Sequence, residues 1–308
     1  MNSLNESKSL PILLLAYSRS DFIEHRLREI SRIKPKLLFV SIDKHEDRSV
    51  TKSIQARISA FASKQNETAV TVVIRKSRQG LAKHLPSALD QFLDENDKIF
   101  VVEDDISISR ASYDSISMQI IQTGLDSRIF SVGGFSPLSL PWNCSLTNNW
   151  RRTKYFSAWG WAIKKEVWQN PRPQLNSNFE ALLRKSAVFN SLDKDQQNRW
   201  KSRFWKNLKY PERTWDIPLQ FACFALDYSH ILPKYRIVDN LGFADTRAEN
   251  TTATKPKWML RESSFHKMIK TQQIHKSPFL EILDAYAIGG DVTKSGALLL
   301  AQKEIKRK

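Results

Sequence analysis

The stretch Ile99-Phe100-Val101-Val102-Glu103-Asp104-Asp105-Ile106 decides the reading of this chain. Four apolar residues in a run make a buried strand, and three carboxylates follow at its exit. Ionised groups crowded there repel one another and are retained when something cationic offsets them. A divalent metal carrying a diphosphate would do so, because Mg²⁺ or Mn²⁺ prefers a few carboxylates plus phosphate oxygens. In open α/β sheets, ligands bind at the carboxyl ends of strands, which is where this trio falls. The competing reading is that Asp104 or Asp105 caps a following helix.

Strand and helix patterns alternate on both sides of the trio. Strands are predicted at 10–16, 36–42, 69–74, 98–102 and 128–132, and helices at 20–33, 49–63, 84–93 and 111–122. The first helix shows the periodicity best, with Phe22, Ile23, Leu27, Ile30 and Ile33 on one face. Such alternation implies an α/β fold with a mostly parallel, doubly wound sheet. After Phe135 the pattern changes, and all nine tryptophans lie beyond that point. Helices are predicted at 179–189, 196–208 and 215–226, a strand at 231–238, and one further helix around 279–287. The chain therefore divides into 1–135, 136–254 packed on the same sheet, and a basic helical extension at 255–308.

With 308 residues and 41% hydrophobic content, the chain can bury a sizeable core. No segment approaches the ~20 apolar residues of a membrane span. Residues 1–9 carry Glu6 and no basic segment, which argues against a secretory signal. Cys144 and Cys223 match no metal spacing, and a reducing cytoplasm is the expected compartment. The formal charge of +16 is uneven. Residues 151–213 hold 15 Lys/Arg against 5 Asp/Glu, 247–308 hold 12 against 6, and the remainder is balanced. This asymmetry points to an anionic partner: nucleic acid, an anionic membrane surface or a phosphorylated substrate.

Four spots at predicted strand ends converge on one edge of such a sheet. They are Ala16-Tyr17-Ser18-Arg19, Asp43, Arg78-Gln79-Gly80-Leu81 and the carboxylate trio. A nucleotide fits them: Asp43 would accept from a base N–H, Tyr17 would stack, and Arg19 or Arg78 would pair with phosphate. Asp43 as a turn residue and Arg19 as a solvated charge are the plainer alternatives. The segment Phe156-Ser157-Ala158-Trp159-Gly160-Trp161-Ala162-Ile163 offers a flat wall that suits sugar faces, or else simple core packing. Asp216, in Arg213-Thr214-Trp215-Asp216-Ile217-Pro218, caps a helix or, exposed at a cleft, takes a proton from a hydroxyl.

The first strand is not followed by GxGxxG, and neither GxxxxGK[ST], HExxH nor GxSxG occurs. The six histidines show no ligand spacing. Three rivals stay open. A sugar-1-phosphate nucleotidylyltransferase would want a glycine-rich loop after its first strand, and 16–21 has no glycine. A nucleic-acid-binding protein would explain the charge but not the trio, and no reader motif is present. A non-catalytic binding module would tolerate loss of Asp105 and Asp216.

Taken together, these motifs resemble the GT-A fold glycosyltransferases. The likeness is greatest to the inverting branch typified by the N-acetylglucosaminyltransferase that starts complex N-glycans, and to related bacterial sugar transferases. It covers roughly 10–245. It implies that Ala16, Tyr17, Arg19, Asp43, Arg78, Gly80, Leu81, Glu103, Asp104, Trp159, Gly160 and Trp161 bind the donor, that Asp105 coordinates Mn²⁺ or Mg²⁺, and that Asp216 is the catalytic base. By that resemblance 1–135 binds a nucleotide-diphosphate sugar, UDP-linked and of the GlcNAc or hexose type, and 136–254 faces a glycan or lipid-linked acceptor. By analogy the protein would work in bacterial polysaccharide biosynthesis, and its basic second half suggests peripheral docking at the inner face of the cell membrane.

Overall fold

The computed structural model describes residues 9–124, 126–136, 150–172, 180–211, 214–243, 245–247, 274–276 and 284. The first half follows the alternation written in the sequence: β1 (Ile12–Ala16), α1 (Ser20–Ile33), β2 (Leu37–Ile42), α2 (Arg48–Ala62), β3 (Ala69–Ile74), α3 (Leu81–Leu93), β4 (Lys98–Glu103), β5 (Ile106–Ser107), α4 (Arg110–Gln122) and β6 (Ile129–Gly133). The second half contributes β7 (Trp150–Thr153), β8 (Trp161–Lys164), α5 (Lys165–Trp168), α6 (Glu180–Lys185), α7 (Ala187–Asn190), α8 (Lys194–Lys209), α9 (Asp216–Ala225), β9 (Ser229–Pro233), β10 (Asp239–Asn240) and β11 (Ile274–Lys276).

Nine strands form one mixed sheet in the order β11-β7-β9-β6-β8-β4-β1-β2-β3, while β5 and β10 pair separately and antiparallel. The β4-β1-β2-β3 half is parallel, and β8 enters antiparallel between β4 and β6. Side-chain alternation in β1 explains why both faces are covered. Ile12, Leu14 and Ala16 pack with Ile23, Ile30, Ile54 and Ile116 from α1, α2 and α4. Leu13 and Leu15 face the opposite layer, with Leu85 and Phe92 of α3, Trp200 of α8 and Phe221 of α9.

Local chemistry sets the helix ends. Asp47 accepts from Ser49 N at 2.8 Å to start α2, and Ser109 and Ser112 form a reciprocal box at α4. Pro218 sits in the first turn of α9, where a missing N–H is harmless.

In the second half β7, β8, α5 and β10 fall where no element was expected, and three expected segments differ. The helix expected over 179–189 is replaced by α6 and α7, because Ser186 comes between them: its Oγ accepts from Phe189 N at 2.9 Å and donates to Phe224 O at 2.6 Å. The segment 231–238 gives only the end of β9, followed by irregular chain before β10. The 255–308 part is not purely helical, since β11 adds a parallel edge strand to β7. Asp284 is buried in an ion pair with Arg151 of β7, with Arg151 Nη2 at 2.6 Å from Oδ1. The rest of the helix expected around 279–287, together with Trp142, Cys144 and Trp258, lies outside the described residues. Among the described residues no helix is long and apolar enough to cross a membrane.

Candidate functional site

The carboxyl ends of β1, β2 and β4 open into one cleft, closed on its other side by the start of α9 and by the chain after β10. The cavity measures about 180 Å³. Its lining includes Ala16, Tyr17, Arg19, Asp43, Arg78, Gly80, Leu81, Glu103, Asp104, Asp105, Trp159 and Asp216. Residues picked out at strand ends, in the aromatic segment and at a helix start, separated by as much as 200 positions in sequence, thus share one space.

The floor is the carboxylate trio. The cation offsetting it within the protein is a guanidinium: Arg19 pairs with Asp104 and reaches Asp105 Oδ2 at 3.2 Å. Arg19 is therefore an internal counter-ion rather than a solvated side chain. A second cation lies beneath, where buried Arg26 donates from Nη1 to Ile106 O at 2.6 Å and pairs with Glu29. Burial pushes Glu103 well up, aided by the charges of Asp105 and Asp104 and more weakly by Asp216. Burial likewise lifts Asp104 to about 6 against the opposing pull of Arg19. Asp105 is raised for the same reason, again with Arg19 opposing. Burial works against the Arg19 charge, but Asp104 and Asp105 outweigh it and hold the guanidinium protonated.

Asp43 is buried at the end of β2. Its Oδ1 accepts from Lys44 N at 3.0 Å and Gln79 N at 2.8 Å, and its Oδ2 from Gly80 N at 2.9 Å. The carboxylate therefore fastens the loop before α3 to the sheet, and Oδ2 keeps lone-pair capacity for a ligand N–H. Gly80 takes φ +69°, a conformation that favours glycine at this turn. Tyr17 lies between His45, with ring centroids 5.1 Å apart, and Arg78, whose guanidinium is 5.3 Å from the ring. Arg78 also pairs with Glu46 at 2.8 Å.

The aromatic segment divides. Trp159 lines the cleft, held edge-on by Phe135 at 4.3 Å and Phe243 at 5.9 Å. Trp161 does not contribute: it is wholly buried in β8, stacked on Trp215 at 5.8 Å and packed against Phe156 at 4.9 Å. Gly160 is also buried, with φ +58°, and a Cβ there would meet Val238 Cγ1 at 3.0 Å. The expected two-tryptophan wall is thus one tryptophan standing on a core that contains the other.

Asp216 opens α9 as its first helical residue, with Trp215 at the cap position and no side-chain cap bond. The simple capping role is therefore not the one it fills. Its Oδ1 accepts from Ile217 N at 2.9 Å and from the Thr214 hydroxyl. Among the described residues nothing donates to Oδ2, which leaves that oxygen for a ligand in the cleft.

Within the trio, Asp105 has the oxygen open to a cation, since Asp104 and the other Asp105 oxygen are paired with Arg19. Asp105 Oδ1 is buried with no hydrogen-bond partner, and an orphaned acceptor of this kind is what Mg²⁺ or Mn²⁺ takes alongside phosphate oxygens. Among the described residues no group of three or more His, Cys, Asp and Glu side chains is placed to hold a metal ion, so a cation at Asp105 would draw most of its shell from substrate and water.

Several lining residues carried no signal in the sequence. Arg247 reaches the cleft while gripping Asp21 at 2.7 and 3.0 Å and Asp245 at 2.7 Å. Asn240 lines the cleft, and its Oδ1 accepts from Gly242 N at 2.7 Å, in a turn whose Leu241 N donates to Asp105 O at 2.8 Å. His84 and Thr214 complete the wall.

No family model and no curated protein matches the chain. Among solved structures, the galactosyltransferase LgtC in complex with donor and acceptor sugar analogs is similar at 10% identity, over 72% of this chain and 73% of that one, with a TM-score of 0.36. A Bacillus anthracis protein named for glucose-1-phosphate thymidylyltransferase activity is 10% identical over 64% of this chain and 84% of its own, with a TM-score of 0.33. The glycosyltransferase GlyE of Streptococcus pneumoniae is 12% identical over 73% of this chain and 54% of its own, with a TM-score of 0.30. Likeness this distant does not carry function, which rests on the residues of the cleft.

Proposed function

We propose that the chain is a GT-A fold glycosyltransferase that moves a sugar from a nucleotide-diphosphate donor, UDP-linked by preference, to a hydroxyl of a glycan or lipid-linked glycan. One observation carries this reading. A buried, partly neutralised carboxylate trio and a carboxylate with a free oxygen at a helix start, Asp216, line the same cleft.

In this reading the base lies between Tyr17 and Asp43, whose Oδ2 retains a lone pair for a base N–H. Asp105 Oδ1 would hold Mn²⁺ or Mg²⁺, which when bound supplies positive charge to the departing diphosphate. Glu103 and Asp104 face ribose or sugar hydroxyls, and Trp159 provides the apolar face. Asp216 Oδ2 takes the proton of the acceptor hydroxyl as that oxygen bonds to the anomeric carbon. The anomeric C–O bond to diphosphate breaks on the opposite face, and configuration inverts.

Titration of nucleotides into the protein with and without Mn²⁺, followed by thermal melting, tests this reading. Metal-dependent stabilisation by UDP is the expected result, with the best nucleotide sugar naming the donor. Absence of a shift with every nucleotide, with and without metal, would overturn it.

A further inference from the structure

Seven large apolar side chains are exposed among the described residues, and three of them, Trp205 at 52%, Leu208 at 46% and Tyr210 at 49%, fall within six positions at the end of α8. The rest of this helix explains why that is unusual. Gln197, Trp200, Phe204 and Asn207 form its buried face, with Phe204 stacked on Phe221 of α9 at 4.5 Å. The core requirement is thus already met, and Trp205 and Leu208 point away from it. A tryptophan left half in water forgoes much of the burial it could gain, and three such side chains grouped together mark a surface with something to cover it.

The surrounding charge gives the partner's sign. Residues 194–209 hold six Lys/Arg, and Asp195 is the one acid. Lys201, Lys206 and Lys209 are exposed beside the apolar side chains. A helix with a basic outer face that carries Trp205 and Leu208 and ends at Tyr210 suits the boundary of an anionic bilayer, where aromatic rings sit at headgroup depth and lysines reach the phosphates. Stacking on nucleic acid bases would use the aromatic rings and the lysines but leave Leu208 without a role.

We infer that the outer face of α8, centred on Trp205, Leu208 and Tyr210 with Lys201, Lys206 and Lys209, docks the protein on an anionic lipid surface. Tyr210 and Asp216 are six positions apart, which bounds their separation at roughly 20 Å even for extended chain. Docking there would hold the cleft within that distance of the bilayer, the setting in which a lipid-linked acceptor presents its sugar. This last step rests on the transferase reading; the docking itself does not.

Flotation of the full chain with vesicles tests it, with no nucleotide sugar present. Binding to phosphatidylglycerol-containing vesicles, weak binding to pure phosphatidylcholine, and release by salt are expected. Each lysine contributes about fivefold to partitioning, so K201E/K206E/K209E should bind roughly a hundredfold more weakly. Trp205→Ser should lose about tenfold. Because these side chains are exposed, circular dichroism melts should match the parent. Asp216→Asn should float as the parent does, so failed catalysis and failed docking read out separately. Equal binding to neutral and anionic vesicles, parent-like binding by the triple variant, or salt-dependent capture of single-stranded RNA without vesicle binding would overturn the inference.

Discussion

Gly242 stands against Asp105 so closely that the site has no room for a side chain there. A Cβ at 242 would fall inside contact distance of Asp105 Oδ2, with Asn240 Oδ1 at 3.1 Å and Arg19 Nη1 at 3.2 Å. The turn after β10 is thus the wall that presses the carboxylate into position. Gly242→Ala should force Asp105 or the turn to move. Metal-dependent nucleotide affinity, read by calorimetry, should fall at least about tenfold while the thermal midpoint moves by only a few degrees, in keeping with a local clash at the cleft rim. Unchanged affinity would mean that Asp105 does not act through this geometry.

Arg19 is the cation that makes the trio tolerable without any ligand. Its side chain is 13% exposed and that of Asp104 only 5%, so the pair is shielded from solvent. Removing one partner of a buried pair typically costs about 3–5 kcal/mol, because the other charge is stranded. Arg19→Met should destabilise the fold on that scale in urea titrations. A divalent cation should then stabilise the variant more than the parent, since it would offset charge that Arg19 no longer does. Equal effects of Mn²⁺ on both proteins would count against a cation site at Asp105.

Most parts of the site that could be read in the sequence end or follow a strand; Asp216, at a helix start, and Trp159, in an aromatic segment, are the exceptions. Ala16, Asp43 and Glu103-Asp104-Asp105 are marked by an apolar run that stops at a polar residue, and a parallel sheet carries such stops to one edge. Arg247 and Asp21 are paired across 226 positions, and no local pattern announces that. Gly242 and Asn240 belong to an irregular turn defined only by its contact with Asp105. Trp159 and Trp161 are two residues apart and identical in type. Strand alternation would put residues two apart on the same side; they part because Gly160 between them turns at φ +58° and only Trp161 enters β8, which inserts between β4 and β6, a tertiary fact. That strand was itself hidden, because a four-residue segment buried on both faces shows no alternation.

His230 gives the fold a dependence on pH. It is wholly buried, hydrogen-bonded through Nδ1 to Ser131 Oγ at 2.8 Å, and burial pushes its imidazole down to about 3. In the unfolded chain it titrates near 6.5. Between those values the unfolded state binds the extra proton, so stability falls as pH drops below about 6.5. His84, lowered to about 4 chiefly by burial, acts in the same sense. Asp104, raised to about 6 by burial, acts oppositely and favours the fold as pH falls from 6 toward the ordinary carboxylate value. Replacing His230 isolates one contribution. Between pH 6.5 and 4.5 the parent should lose about 2 kcal/mol more than His230→Asn, from the linkage of about 1.4 kcal/mol per pH unit. Superimposable profiles in urea denaturation would show that the buried imidazole does not titrate as its environment dictates.

Asp216 is the sharpest test of the proposed chemistry because its two oxygens have different tasks. Oδ1 is occupied by the Thr214 hydroxyl and Ile217 N, which fix the side chain at the head of α9. An amide oxygen can accept the same two bonds, so Asp216→Asn should keep the helix start and the cleft shape. What it loses is a group able to take a proton. General-base removal typically lowers the rate about 10²–10⁴-fold. Turnover of the best nucleotide sugar should therefore fall by that factor while nucleotide affinity stays within about twofold of the parent, because uniform binding is untouched. Loss of affinity in parallel with rate would assign Asp216 to donor binding, and full activity would remove it from the reaction.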